Sequence, residues 1–217
     1  MERIVYSMTD ITQTLFESID QQEAVYLKKY IDSHIKQYQN FKKSYDPRTI
    51  AHNYHKMIDD MITLHKNKPE NIFFKITCKK SCGYCCNLNV DITREEAVLI
   101  TDCAIKENVR IDYKLLKRQS LLTKDHWIKQ NKELRKCIFL DENNNCKIYE
   151  FRPNNCRKFL SIDSVEVCKQ CYENKAEGFN RFTAPLVEAL ITAIMTATET
   201  NSMSKMLLEY RYVKKRK

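Results

Sequence analysis

Apolar residues recur at every third or fourth position over the first third of the chain, and that period predicts helices. From Thr9 to about Tyr38 the stripe is Leu15, Phe16, Ile19, Leu27, Tyr30, Ile31 and Ile35. Asp46-Pro47 then reads as an N-cap followed by proline at the first helical position. The helix it opens carries Ile50, Tyr54, Met57, Ile58, Met61 and Ile62 on one face. It should end before Pro69. Ile72 to Ile76 reads as a short extended stretch.

Thr93 and Glu96 form a capping-box pair at the start of a further helix. Its apolar stripe, Ala97, Ile100, Cys103 and Ala104, places Cys103 on a core face as a structural thiol. Tyr113 to Leu122 and Thr123 to Lys136 also fit helices. Ile138–Leu140 and Lys147–Glu150 flank the run Asp141-Glu142-Asn143-Asn144-Asn145, the chemistry of a small β-hairpin. Arg152-Pro153 opens a short helix carrying Cys156. A last long helix is expected over 183–213, with Pro185 in its first turn and Leu186, Leu190, Ile191, Ile194 and Met195 on its face. The pattern predicts a mainly α protein: a helical bundle body enclosing a cysteine-rich metal-binding insert with a small β-hairpin. The whole chain reads as one domain, with N-terminal helices over 1–70, the cysteine-cluster region over 73–172 and the C-terminal helix after it.

Composition narrows this. The 217 residues are enough for one sizeable core. Gly83 and Gly178 are the only glycines. So little glycine argues against barrels, all-β sandwiches and nucleotide-binding loops, which need its freedom at tight turns. Met1 to Gln13 has no apolar core of a secretory signal. Ala184 to Ala197 is too short for a membrane span and contains Glu188. These points predict a cytoplasmic location, where disulfides are disfavoured. The net charge of +9 favours acidic partners. The charge is spread out, with one dense block at Lys214-Lys215-Arg216-Lys217, and no RNA-binding aromatic signature accompanies it. An acidic protein is therefore a better expected partner than nucleic acid.

Ten cysteines in a reducing compartment point to metal ligation. The densest motif is Cys78-Lys79-Lys80-Ser81-Cys82-Gly83-Tyr84-Cys85-Cys86. A C-x-x-C spacing lets a tight knuckle aim two sulfurs at one metal, and Gly83 suits that turn through its access to positive φ. The adjacent pair Cys85-Cys86 is easier to use on a multinuclear cluster or two metals than on one tetrahedral ion. Lysines at 75, 79 and 80 should favour the thiolate. A second set is Cys137, Cys146 and Cys156, whose neighbours Arg152 and Arg157 either offset thiolate charge or make ordinary ion pairs. Cys168-Lys169-Gln170-Cys171 reads as another knuckle. The candidate metal ligands are thus Cys78, Cys82, Cys85, Cys86, Cys137, Cys146, Cys156, Cys168 and Cys171. The histidines at 34, 52, 55, 65 and 126 show no ligand spacing to them. Tyr84 and Tyr149 should pack against the site.

Together these residues resemble the YkgJ-type cysteine-cluster family, described as a zinc- or iron-chelating domain. Its first half is matched by Cys78, Cys82, Gly83, Cys85 and Cys86. Its second half is matched by Cys137, Phe139, Leu140, Cys146, Ile148, Tyr149, Glu150, Arg152, Pro153, Cys156 and Arg157, in order. Ile138 replaces the family's proline, and the Asn-rich run replaces a glycine, which asparagine can do because it tolerates left-handed geometry. The resemblance implies a metal-binding domain. Some relatives are called iron–sulfur proteins, and the flagellin lysine methylases are said to carry a similar cysteine set, which brings in protein modification as an activity. Cys78-x3-Cys82-x2-Cys85 also has the spacing of radical S-adenosylmethionine enzymes, but this chain lacks their strand–helix repetition and glycines. Pure thiolate ligation suits an iron–sulfur cluster, [4Fe–4S] in the first instance, or zinc. The surplus of thiolates favours the cluster, leaving a structural zinc module without catalysis as the alternative.

Overall fold

The computed structural model describes residues 10–66, 76–79, 81–173, 175 and 178–215. The expected extended stretch at 72–76 lies almost wholly outside them, as do residues 1–9 and the end of the basic tail.

The protein is mainly helical, as the periodicity predicts. Helix α1 spans Asp10–Ser18, α2 Gln21–Ser44 and α3 Pro47–Lys66. The single helix expected over 9–38 is therefore two. Asp20 ends the continuity: its carboxylate accepts from Glu23 N at 2.8 Å and caps α2. Asp46 caps α3 as expected, accepting from the Arg48 and Thr49 amides.

Strand β1, Asp91–Thr93, leads into α4, Arg94–Lys106, through a complete capping box between Thr93 and Glu96. Then follow α5 (Tyr113–Ser120), α6 (Lys124–Trp127) and α7 (Lys132–Arg135). The helix expected over 123–136 is thus two single turns, because Thr123 and Asn131 each cap their own. Helix α8 spans Asn154–Lys158, β2 Leu160–Ser161, α9 Val165–Tyr172 and β3 Arg181–Phe182.

The long C-terminal helix is also broken. Helix α10 runs over Pro185–Ala197, strand β4 over Thr200–Ser202, and α11 over Met203–Lys215. No glycine or proline makes the break. The β-branched, polar run around Thr198 and Thr200 turns extended and pairs with β1, Asp91 opposite Ser202. A second antiparallel pair joins β2 to β3.

Two cores organise the molecule. In the first, α10 lies against α2 and α3 and buries Tyr38, Tyr54, Ile58, Leu190 and Ile191. Leu27, Ile31, Ala189 and Ala193 continue it toward α1. In the second, α4 and α11 enclose Ile92, Ile100, Leu116, Phe139 and Ile148. The segment carrying Cys137 and Cys146 therefore rests on this second core. Among the described residues no helix is long and apolar enough to cross a membrane.

Candidate metal centre

The first cysteine cluster is a turn held from both sides. Thr77 N donates to Ser161 O at 3.0 Å, and Ser161 N donates to Cys78 Sγ at 3.0 Å, which pins Cys78 to β2. The chain reverses at Ser81, whose φ is 69°, and Ser81 Oγ donates to Asn145 Oδ1 at 2.6 Å. A 3₁₀ turn over Tyr84–Asn87 then presents Cys85 and Cys86.

Gly83 has a different role from the expected one. Its φ is −101°, so it supplies no left-handed geometry. It supplies space: a Cβ there would stand 2.5 Å from Leu140 Cδ1 and 3.0 Å from Asn144 O. The two cysteine sets approach each other across this gap. Cys137 N also donates to Cys86 O at 2.8 Å.

The expected turn between Cys137 and Cys146 forms, with a single β-bridge from Leu140 to Cys146 in place of a ladder. Asp141 organises it, accepting from the Asn143 and Asn145 amides at 2.8 Å. Asn144 takes the left-handed position at φ 59°. Cys156 sits on α8, which is tied firmly to its surroundings. Asn154 N donates to Glu96 Oε1 at 2.6 Å, and Asn155 Nδ2 to Asp91 O at 2.8 Å. Lys158 pairs with Glu188 at 2.5 Å in a buried ion pair. Cys168 and Cys171 lie on α9. They form no knuckle: the i, i+3 spacing sets both on one helical face.

All ten cysteines are free thiols. Nine line two adjoining cavities. The larger, about 170 Å³, is walled by Cys78, Cys82, Cys85, Cys86, Cys137, Cys146 and Cys156 with Trp127, Phe159 and Arg152. The smaller, about 110 Å³, takes Cys78, Cys82 and Cys85 from the shared wall and adds Cys168 and Cys171. Cys103 lines neither; it is half-buried on α4, outside the core clusters. Among the described residues no three His, Cys, Asp or Glu side chains already stand in ligating positions. The thiols are gathered but not closed on a point.

Their electrostatics follow from burial. Burial pushes the Cys137 thiol up to about 12. Burial, with neighbouring thiols behind it, holds Cys156 well above its ordinary value. Cys85 is raised by its hydrogen bond with Cys86 and by burial. Cys78, Cys82 and Cys146 are raised mainly by burial. Of the lysines expected to favour the thiolates, Lys75 and Lys80 lie outside the described residues, and Lys79 lines the larger cavity. Held as thiolates, these sulfurs would need a compensating cation at bonding distance, and loading a metal there would release their protons.

The two arginines divide the roles the sequence left open. Arg152 lines the larger cavity, stacks on Tyr149 at 4.0 Å and lowers the cost of thiolate at Cys85 and Cys146. Arg157 turns away, pairing with Asp59 and donating to Arg152 O and toward His55 Nδ1. His55 is buried and contacts Glu96 Oε1 through Nε2 at 3.2 Å, so it serves the scaffold. Tyr84 packs on Tyr172 across the smaller cavity.

Sequence reasoning missed Trp127, Arg135 and Phe159. Trp127 donates to Asn87 O at 2.9 Å, and Phe159 lines both cavities. Phe159 stands three residues after Cys156, the one signal available. Nothing marks Arg135, which reaches the smaller cavity only through tertiary packing.

Residues 77–178 match a sequence family described as "CxxCxxCC: Putative zinc- or iron-chelating domain". No curated protein and no solved structure matches the chain.

Proposed function

We propose that this chain, whose residues 77–178 match the CxxCxxCC family of zinc- or iron-chelating domains, holds an iron–sulfur centre in its larger cavity. The carrying observation is the cavity itself: about 170 Å³ walled by seven thiols. One water needs roughly 10–15 Å³ of such space, so the room exceeds a single ion by a wide margin. Cys85, Cys86, Cys137, Cys146 and Cys156 would hold the centre, four being enough for a [4Fe–4S] cluster. Such a cluster supplies one-electron redox chemistry.

The chain's own residues do the rest. Cys156 comes from α8, bound to the body through Glu96 and Glu188, so its position is set before any metal arrives. Arg152 offsets part of the thiolate charge. Trp127, Phe159 and Ile148 keep water from the sulfurs. Free thiols fit a reducing compartment, and the cytoplasm is the proposed location.

The test is purification without oxygen, followed by a visible spectrum and assay of iron, sulfide and zinc per chain. A brown protein with near-equal iron and sulfide supports the cluster. A colourless protein holding only zinc replaces it with a structural zinc module.

A further inference from the structure

Nine thiols are more than one four-thiolate centre can use, and the structure divides them. Cys168 and Cys171 line only the smaller cavity. Cys86, Cys137, Cys146 and Cys156 line only the larger one. Cys78, Cys82 and Cys85 stand in the wall that the two cavities share.

Two further observations concern the smaller cavity. The first is how α9 is held. No residue of α9 is buried, and none belongs to any of the three core clusters. The loop bearing it is closed at its base, where Asn180 donates to Asp163 from its backbone at 2.6 Å and its side chain at 3.2 Å. The helix itself rests on the 3₁₀ turn of Cys85-Cys86 and on the Tyr84–Tyr172 contact. A segment that cannot bury enough apolar surface commonly takes its order from a metal.

The second is a donor with nothing to donate to. Arg135 lines this cavity, and its buried Nε meets no hydrogen-bond acceptor among the described residues. A buried guanidinium N–H left unmade is costly. Four thiolates around a divalent ion carry a net charge of −2, the kind of occupant such a donor serves. Ser161 N already donates to Cys78 Sγ, as backbone amides do around metal-bound sulfur.

We propose that Cys78, Cys82, Cys168 and Cys171 form a second, separate centre: a closed tetrathiolate site for one zinc ion that fastens α9 to the cysteine turn. It rests on the reading that this region chelates metal. Binding exchanges four S–H bonds for four Zn–S bonds and releases four protons. The site is redox-silent and has no open position, so its work is structural.

The experiment uses the full chain, purified without oxygen, beside the C168S/C171S and C146S/C156S variants. Iron, sulfide and zinc are counted, and Co2+ is titrated into zinc-depleted protein as a visible probe. The wild type should hold one zinc beside its iron. C168S/C171S should lose that zinc and the tetrahedral cobalt bands while keeping iron, sulfide and the cluster's colour. Hydrogen exchange over 164–173 should quicken by tenfold or more in the same variant. C146S/C156S, which leaves only three of the five larger-cavity ligands, should do the reverse, losing iron and keeping the cobalt bands, which separates lost ligands from lost folding. Loss of iron and zinc together in C168S/C171S would mean one shared centre and overturn the division. So would unchanged zinc. A wild type with zinc and no iron overturns the iron–sulfur reading while leaving this site standing, and a wild type with no metal overturns both.

Discussion

Helices α8 and α9 are both short and both carry candidate ligands, yet they are held in opposite ways. Helix α8 is bolted to the body by Glu96, Asp59 and Glu188 and contributes Cys156. Helix α9 has no fully buried residue and carries Cys168 and Cys171. On the proposed assignment one ligand comes from a preformed surface, and the other two come from a segment that metal would order. One cysteine-rich region would then join two kinds of metal dependence, a site built by folding that metal occupies and a fold that metal completes.

The sharpest way to separate the two helices is to strip the metal under reducing conditions and follow hydrogen exchange. Protection over α9 should vanish, while α8, α3 and α10 stay protected. Equal loss at α8 and α9 would end the comparison. The opposite break is Glu188→Gln, which removes the carboxylate paired with buried Lys158. It should cost about 3–5 kcal/mol in denaturant unfolding and leave the cobalt bands of the Cys168 site intact. A change under about 1 kcal/mol would show that α8 does not depend on that pair.

A smaller effect is expected at the join between the cysteine sets. Gly83→Ala forces a methyl group against Leu140 and should cost about 1–3 kcal/mol. Iron occupancy should fall while the helical circular dichroism holds. Unchanged occupancy would mean the Leu140 side chain simply moves aside.

The mildest test is acid. Burial lowers the His55 value, since the charged ring is disfavoured there. Burial alone would raise Glu96, but hydrogen bonds from His55, Thr93 and Asn154 outweigh it and hold it below the usual range. Both folded values lie below their unfolded ones. Their contribution is therefore full above about pH 6.5, the ordinary histidine value. It is lost as the pH falls through the two folded values. Stability should decline below that point, with α8 loosening first by exchange. Glu96→Gln should flatten the decline, and an unaltered pH profile in that variant would remove Glu96 from the account.

Much of this was legible in the chain. The helical period placed α2 and α3, because their apolar stripes repeat without interruption and Asp46-Pro47 is a strong start. It ran past the break at Asp20, although Asp20 and Glu23 already had capping spacing, because Leu15, Phe16 and Ile19 continue the stripe. It also ran past 198–202, where threonines rather than glycine or proline end the helix. Motif spacing gathered the nine cysteines, since ligand chemistry leaves a local signature. It offered no division among them, because the proposed division rests on α9 meeting the 3₁₀ turn. Gly83 was misread for a related reason: what excludes a side chain there is Leu140, a residue far along the chain.

Cys103 has a use that follows from its isolation. It is half-buried on α4 and borders neither cavity. Thiols committed to metal are shielded from alkylating reagents, and this one has no such protection. It is therefore an internal standard built into the molecule. Native mass spectra after alkylation should show no more than two adducts on the loaded chain, one at Cys103 and one at the larger-cavity cysteine that a four-thiolate cluster leaves over, and every adduct beyond these counts a ligand that has come loose.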